Sequence, residues 1–158
     1  PFIYYGEEIG MLGKKPDEDI RLPMQWSGAE NAGFSGSKPW RTGEAGDSDT
    51  NIAAQENDPD SLLSHYRALI ALRKEYPALR TGEIEVLDPG TNALFAALRT
   101  QGDEKILVIV NLTDEPVSEY HLENIPDTLM DLNLLLPKDS SFDLAIPAYE
   151  TLIFELKK

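Results

Sequence analysis

The chain has 158 residues and is 41% hydrophobic, enough for the core of one domain or of one domain with part of another. Its 28 acidic and 14 basic side chains leave a formal net charge of −14, acidic on both sides of Pro77, so no basic stripe invites nucleic acid or an anionic membrane. The absence of cysteine excludes disulfides, thiolate zinc sites and cysteine nucleophiles, and it fits a cytoplasmic location.

The first element is the apolar run Phe2 to Tyr5, closed by Gly6. Four contiguous apolar residues without polar alternation predict a strand over residues 2–5, buried on both faces as in a parallel sheet under helices. A chain that opens inside such a run, with no initiator Met and no basic leader, is expected to be cut from something longer. Residues 6–57 then read as one long loop rich in Gly, Pro, Asn and Ser. Connections of that length are functional or disordered. Trp26, Phe34 and Trp40 spaced through it argue against a plain linker, because they carry surface that wants burial.

A helix is predicted over residues 59–76. Asp58 suits the N-cap, Pro59 the first helical position, and Pro77 the stop. Leu62, Tyr66, Leu69, Ile70 and Arg73 mark one face at 3.6-residue spacing, and Leu63 and Leu72 widen the stripe. Beyond it, residues 78–158 show no second helical pattern. They read as strands over 83–88, 93–100, 105–112, 118–122, 128–132, 142–146 and 151–156, separated by turns such as Asp88-Pro89-Gly90 and Gln101-Gly102-Asp103. Short strands at about ten-residue spacing suggest an antiparallel sandwich or barrel. Ile106 to Val110 is apolar on both faces and is expected at its centre. The fold class expected is therefore mainly β.

Several side chains invite a chemical reading. Glu7-Glu8 is an acidic pair at the end of a predicted strand, where barrel enzymes place catalytic groups. Asp17-Glu18-Asp19 and Asp47-Ser48-Asp49 are acidic enough for calcium, but neither shows the ligand spacing with a glycine at the turn, and a solvated loop explains both. His65 and His121 lack a second histidine at helical spacing, so no metal and no cofactor are expected. Trp26 and Trp40 could stack on sugar rings, although packing of the loop explains them as well. In the last zone Phe95, Tyr120, Phe142, Tyr149 and Phe154 should mostly point inward, which weakens a case for a flat sugar-binding platform.

Three blocks in order carry a resemblance. Pro1-Phe2-Ile3-Tyr4-Tyr5-Gly6-Glu7-Glu8-Ile9-Gly10-Met11 resembles the eighth barrel strand and following turn of glycoside hydrolase family 13, the α-amylase superfamily. Arg21-Leu22-Pro23-Met24-Gln25-Trp26-Ser27, with Asn31-Ala32-Gly33-Phe34-Ser35 and Lys38-Pro39-Trp40, resembles the next loop in its α-glucosidase, oligo-1,6-glucosidase and trehalose synthase group. Asp58-Pro59-Asp60-Ser61-Leu62-Leu63 and Leu69-Ile70-Ala71-Leu72-Arg73-Lys74 resemble its last barrel helix.

The resemblance implies that residues 1–77 are the end of a (β/α)8 catalytic barrel and that residues 78–158 are its C-terminal antiparallel β-sandwich, of Greek-key type. It implies a parent enzyme acting on α-glucosides or α-glucans by retaining double displacement with two carboxyl groups. Those carboxyl groups, and a third that supports the transition state, sit on earlier strands, so this chain alone is expected to be inactive. Glu7-Glu8 then becomes a supporting feature. Arg21 is the one substrate-binding residue implied, lining the glucose pocket beside an aspartate of an early strand. A guanidinium suits that place because its fork of donors serves hydroxyls and a carboxylate together. The natural partner is the preceding part of the barrel, and self-association is expected without it. The alternatives are an autonomous carbohydrate-binding sandwich and a structural interaction module.

Overall fold

The computed structural model describes residues 2–41, 49–122, 125, 132–137 and 145–156. The chain divides into two compact units, Pro1–Ile70 and Ala71–Lys158, with the division inside a helix. Among the described residues the regular elements are three helices, α1 (Ile52–Gln55), α2 (Leu62–Glu75) and α3 (Pro77–Thr81), and five strands, β1 (Glu83–Leu87), β2 (Leu94–Gln101), β3 (Glu104–Asn111), β4 (Asn133–Leu136) and β5 (Thr151–Glu155).

In the first unit, the strand expected over residues 2–5 is not formed. A strand is defined by its neighbours, and no described strand pairs with this run; Phe2 is fully exposed. The long loop is more ordered than its composition indicates. It holds short 3-10 turns at Glu7–Ile9, Asp17–Asp19 and Glu30–Gly33, and the single turn of α1. Gly6 sits at φ 92, in the left-handed region that favours glycine, and a Cβ there would also displace the Met11 side chain, whose sulfur would lie 2.6 Å away.

Helix α2 begins three residues later than expected. Asp58 closes a separate turn, its Oδ1 accepting from the Asp60 N–H at 3.0 Å. Ser61 is the cap: its Oγ accepts from the Ser64 N–H at 3.2 Å, and the Leu63 N–H donates to Gln55 Oε1 at 3.1 Å. Two of the four orphan donors of the helix start are thereby satisfied. Leu63 and Leu72, expected at the margins of the apolar face, are buried, whereas Leu62 and Ile70, expected at its centre, stay exposed.

In the second unit, Pro77 stops α2 as expected but also occupies the first turn of α3, a helix that the sequence reading missed. Five residues are too few for a periodic signal. Arg73 and Arg80 donate to the carbonyls of Leu79 and Lys74, satisfying groups at the helix ends. Gly82 then lets α3 pass close to the sheet: a Cβ there would lie 2.6 Å from the Ala78 oxygen and 2.8 Å from the Thr100 oxygen.

The strands form one antiparallel sheet in the order β1-β2-β3-β5-β4. β3 is central, as its doubly apolar sequence requires. One face carries the rows Leu98–Leu107–Phe154–Leu134 and Ala96–Ile109–Leu152, packed with Leu122, Ile125 and Ile146 into the main core. The other face buries Ala97, Ile106 and Ile153. The strands expected over 83–88, 93–100, 105–112 and 151–156 are therefore present within one residue or so at each end.

Residues 118–122 are not a strand. Beside them, Val117 forms an isolated bridge with Ile146 among the described residues. Most of the strands expected over 128–132 and 142–146 lies outside the described residues, as does Phe142. Two aromatics depart from the inward expectation. Phe95 lies on the face of β2 opposite the main core, and Tyr149 sits exposed in a turn at φ 55.

Candidate functional site

Arg21 follows the Asp17–Asp19 turn in a stretch fixed at both ends. On its N-terminal side the Tyr5 hydroxyl donates to the Leu22 carbonyl at 3.0 Å, and Leu22 is buried. Burial, then the adjacent Tyr4, raises the pKa of the Tyr5 hydroxyl, while the Arg21 charge pulls it back. The Tyr4 and Tyr5 rings lie 4.9 Å apart between centroids. On the C-terminal side the Ile52 and Ala53 N–H groups, the first two of α1, donate to the Gln25 and Trp26 carbonyls at 3.0 Å each. The Gln25 side chain folds back onto the Pro23 carbonyl at 2.8 Å.

The Arg21 side chain itself is 62% exposed, and its Nη2 lies 3.6 Å from Asp17 Oδ2. An exposed pair at that distance leaves most of the fork free for another acceptor. A stronger pair stands beside it. Arg41 Nε and Nη2 donate to Asp19 Oδ1 and Oδ2 at 2.6 and 3.0 Å, a bidentate clamp that holds the Asp19 carboxyl below its ordinary pKa and the guanidinium above its own. Residues 17–19 are thus not merely a solvated charge run. Opposite charges 22 positions apart in a loop give a reader of sequence no reason to join them.

Glu7 and Glu8 are used by the turn that contains them. Glu7 Oε2 accepts from the Tyr4 N–H at 3.2 Å and Glu8 Oε2 from the Gly6 N–H at 2.7 Å. Both carboxylates face backbone donors, which explains the pair without catalysis. Trp26, Phe34 and Trp40 are all exposed. The turn between them places Asn31, Ala32 and Gly33 in the left-handed region, and the Ala32 carbonyl accepts from both Trp26 and Ser27 N–H groups at 2.9 and 3.1 Å. Among the described residues no group of three His, Cys, Asp or Glu is placed to hold a metal ion. Asp47 and Ser48 lie outside them.

The described part of this loop thus carries an exposed arginine and exposed aromatics. The model of the alpha amylase catalytic domain matches residues 1–82. The chain belongs to the α-amylase family. Among its relatives, the oligo-1,6-glucosidase of Heyndrickxia coagulans is 31% identical across the whole of this chain, which spans 34% of that enzyme. The trehalose-6-phosphate hydrolase of Bacillus licheniformis superposes with a TM-score of 0.73 at 30% identity, over 91% of this chain and 27% of that structure. An inactive MutB double mutant in complex with isomaltulose superposes with a TM-score of 0.80 at 28% identity, over 99% of this chain and 35% of that one. The chain therefore spans about a third of the length of the α-amylase-family relatives that it matches end to end.

Proposed function

We infer that this chain is the C-terminal part of an enzyme that acts on α-glucosides, and that it supports catalysis without performing it alone. Residues 1–77 supply the end of the (β/α)8 barrel and residues 78–158 a C-terminal domain. The observation that carries this reading is the conjunction of a catalytic-domain match over 1–82 with a loop that presents Arg21 and exposed aromatics. In this reading the segment 2–5 becomes a strand when its neighbours are present, since its apolar side chains are now exposed. Arg21 turns its free donors to a sugar hydroxyl and to a carboxylate supplied by the rest of the barrel. A Greek-key sandwich in the second unit would need a second layer, and the Val117–Ile146 bridge supports that reading.

The partner is the preceding portion of the catalytic domain, and the substrate an α-glucoside or α-glucan in the cytoplasm. No helix among the described residues is long and apolar enough to cross a membrane. Without that partner, Phe2, Trp26 and Trp40 lie open to solvent and favour self-association, which light scattering measures. The deciding experiment joins this chain to the preceding residues of the Heyndrickxia oligo-1,6-glucosidase and assays isomaltose, maltose and trehalose. Hydrolysis by the joined protein, with none by the chain alone, is expected. Turnover by the chain alone would overturn the reading. So would a glucan-dependent rise in its melting temperature with an inactive joined protein, which would favour an autonomous carbohydrate-binding module.

A further inference from the structure

The side chain of Gln55 hydrogen-bonds to backbone groups of three separate segments of the first unit. Its Nε2 donates to the Ile9 carbonyl and to the Asp49 carbonyl, both at 3.0 Å, and its Oε1 accepts from the Leu63 N–H at 3.1 Å. One amide therefore ties together the turn that follows residues 2–5, the entry to α1 and the start of α2. Gln55 is also the last residue of α1, whose first two N–H groups hold the Gln25 and Trp26 carbonyls. The capping oxygen of Asn51 holds the same turn of helix, accepting from Ala54 at 2.9 Å. The Arg21–Trp26 stretch is thus fastened to α1, and α1 is fastened to its surroundings through Gln55.

We propose that Gln55 is a positioning residue for Arg21, setting where that guanidinium stands relative to a bound α-glucoside. This rests on the reading of Arg21 as a sugar-binding group. A binding group must be held within about 0.5 Å of its productive place to be effective. Arg21 has little side-chain support of its own, only the 3.6 Å approach to Asp17, so its placement comes from its backbone. The geometry suits an amide at position 55. The Ile9 carbonyl takes its donor from this side chain, the Asp49 carbonyl takes it beside the Asn51 N–H, and the Leu63 N–H takes an acceptor, which glutamine supplies together. A glutamate would face both carbonyls with an oxygen, and a methionine would keep the shape while losing all three bonds.

The test uses the full-length enzyme that contains this chain, with p-nitrophenyl α-glucoside as the probe. Gln55→Met is expected to raise KM about tenfold, which is about 1.4 kcal/mol, with kcat kept within about twofold. Arg21→Ala should raise KM at least as much. The double variant should be no worse than Arg21→Ala alone, because a residue that acts through Arg21 has nothing left to position. Amide hydrogen exchange at residues 21–26 should quicken in Gln55→Met while β2, β3 and β5 stay protected, a readout independent of turnover. Gln55→Glu keeps the acceptor for Leu63, and so the start of α2, and should reproduce the KM effect if the methionine variant folds poorly. Additive KM effects in the double variant, or unchanged exchange at 21–26, would overturn the proposal. Arg21→Ala with an unchanged KM would instead sink the reading of Arg21 on which it stands.

Discussion

Asn111 is a polar side chain in the core of the second unit, 1% exposed at the end of β3. Its Nδ2 donates among the carbonyls of Glu115, Ile146 and Pro147 at 2.8, 3.1 and 2.9 Å, and its Oδ1 accepts from the Thr113 N–H and Oγ1 at 2.9 and 2.8 Å. Replacing it with alanine does not orphan the three carbonyls. Ile146 keeps the Val117 N–H, Pro147 keeps the Glu150 N–H, and Glu115 keeps the Thr113 hydroxyl. The expected cost of Asn111→Ala is therefore about 1–3 kcal/mol rather than the sum of five bonds. Asn111→Asp is worse although nearly isosteric. At neutral pH it buries a carboxylate against three carbonyl oxygens, at a cost of about 3–5 kcal/mol. Its pKa in the folded state is raised above the unfolded value near 3.9, so the deficit grows as pH rises through that value and shrinks below about pH 4. Urea unfolding of the three proteins at pH 7 and pH 3.5, followed by circular dichroism, measures this. An aspartate variant no less stable than the alanine variant at pH 7, or a deficit that ignores pH, would refute the assignment of the amide as donor to those carbonyls.

Ser61→Ala removes the Oγ that caps α2 and should cost about 1 kcal/mol, read as a lower melting temperature and reduced helical circular dichroism, whereas Asp60→Ala should cost less. Phe154→Ala empties a fully buried site in the main core and should cost about 3–5 kcal/mol in denaturant unfolding, with Phe95→Ala near 1 or below because that ring is on the more exposed face. The Arg41 clamp lowers the Asp19 pKa, so its contribution is present above the unfolded carboxylate value near 3.9 and is lost as pH falls through the lower folded value. Carbonyl-detected NMR titration should show the Asp19 midpoint return upward in Arg41→Gln, and no such return would remove the clamp.

Local pattern was legible where neighbours in sequence are also neighbours in space. β1, β2, β3 and β5 and the stop at Pro77 follow from alternation, turn residues and the missing proline N–H. The central place of β3 follows from apolar residues on both of its faces. The order of motifs pointed to the α-amylase family and to Arg21 as the residue to watch. What stayed hidden depends on contacts made across the chain. The order that places β5 between β3 and β4 pairs residues up to 49 positions apart, and the Ser61 cap chosen over Asp58, the Arg41–Asp19 fork and the Gln55 amide join residues 3 to 46 positions apart. The run Phe2–Tyr5 shows the limit most plainly. Its sequence sets a preference for extended, buried backbone, but a strand exists only where another strand takes its hydrogen bonds, and that is a property of the surrounding tertiary structure.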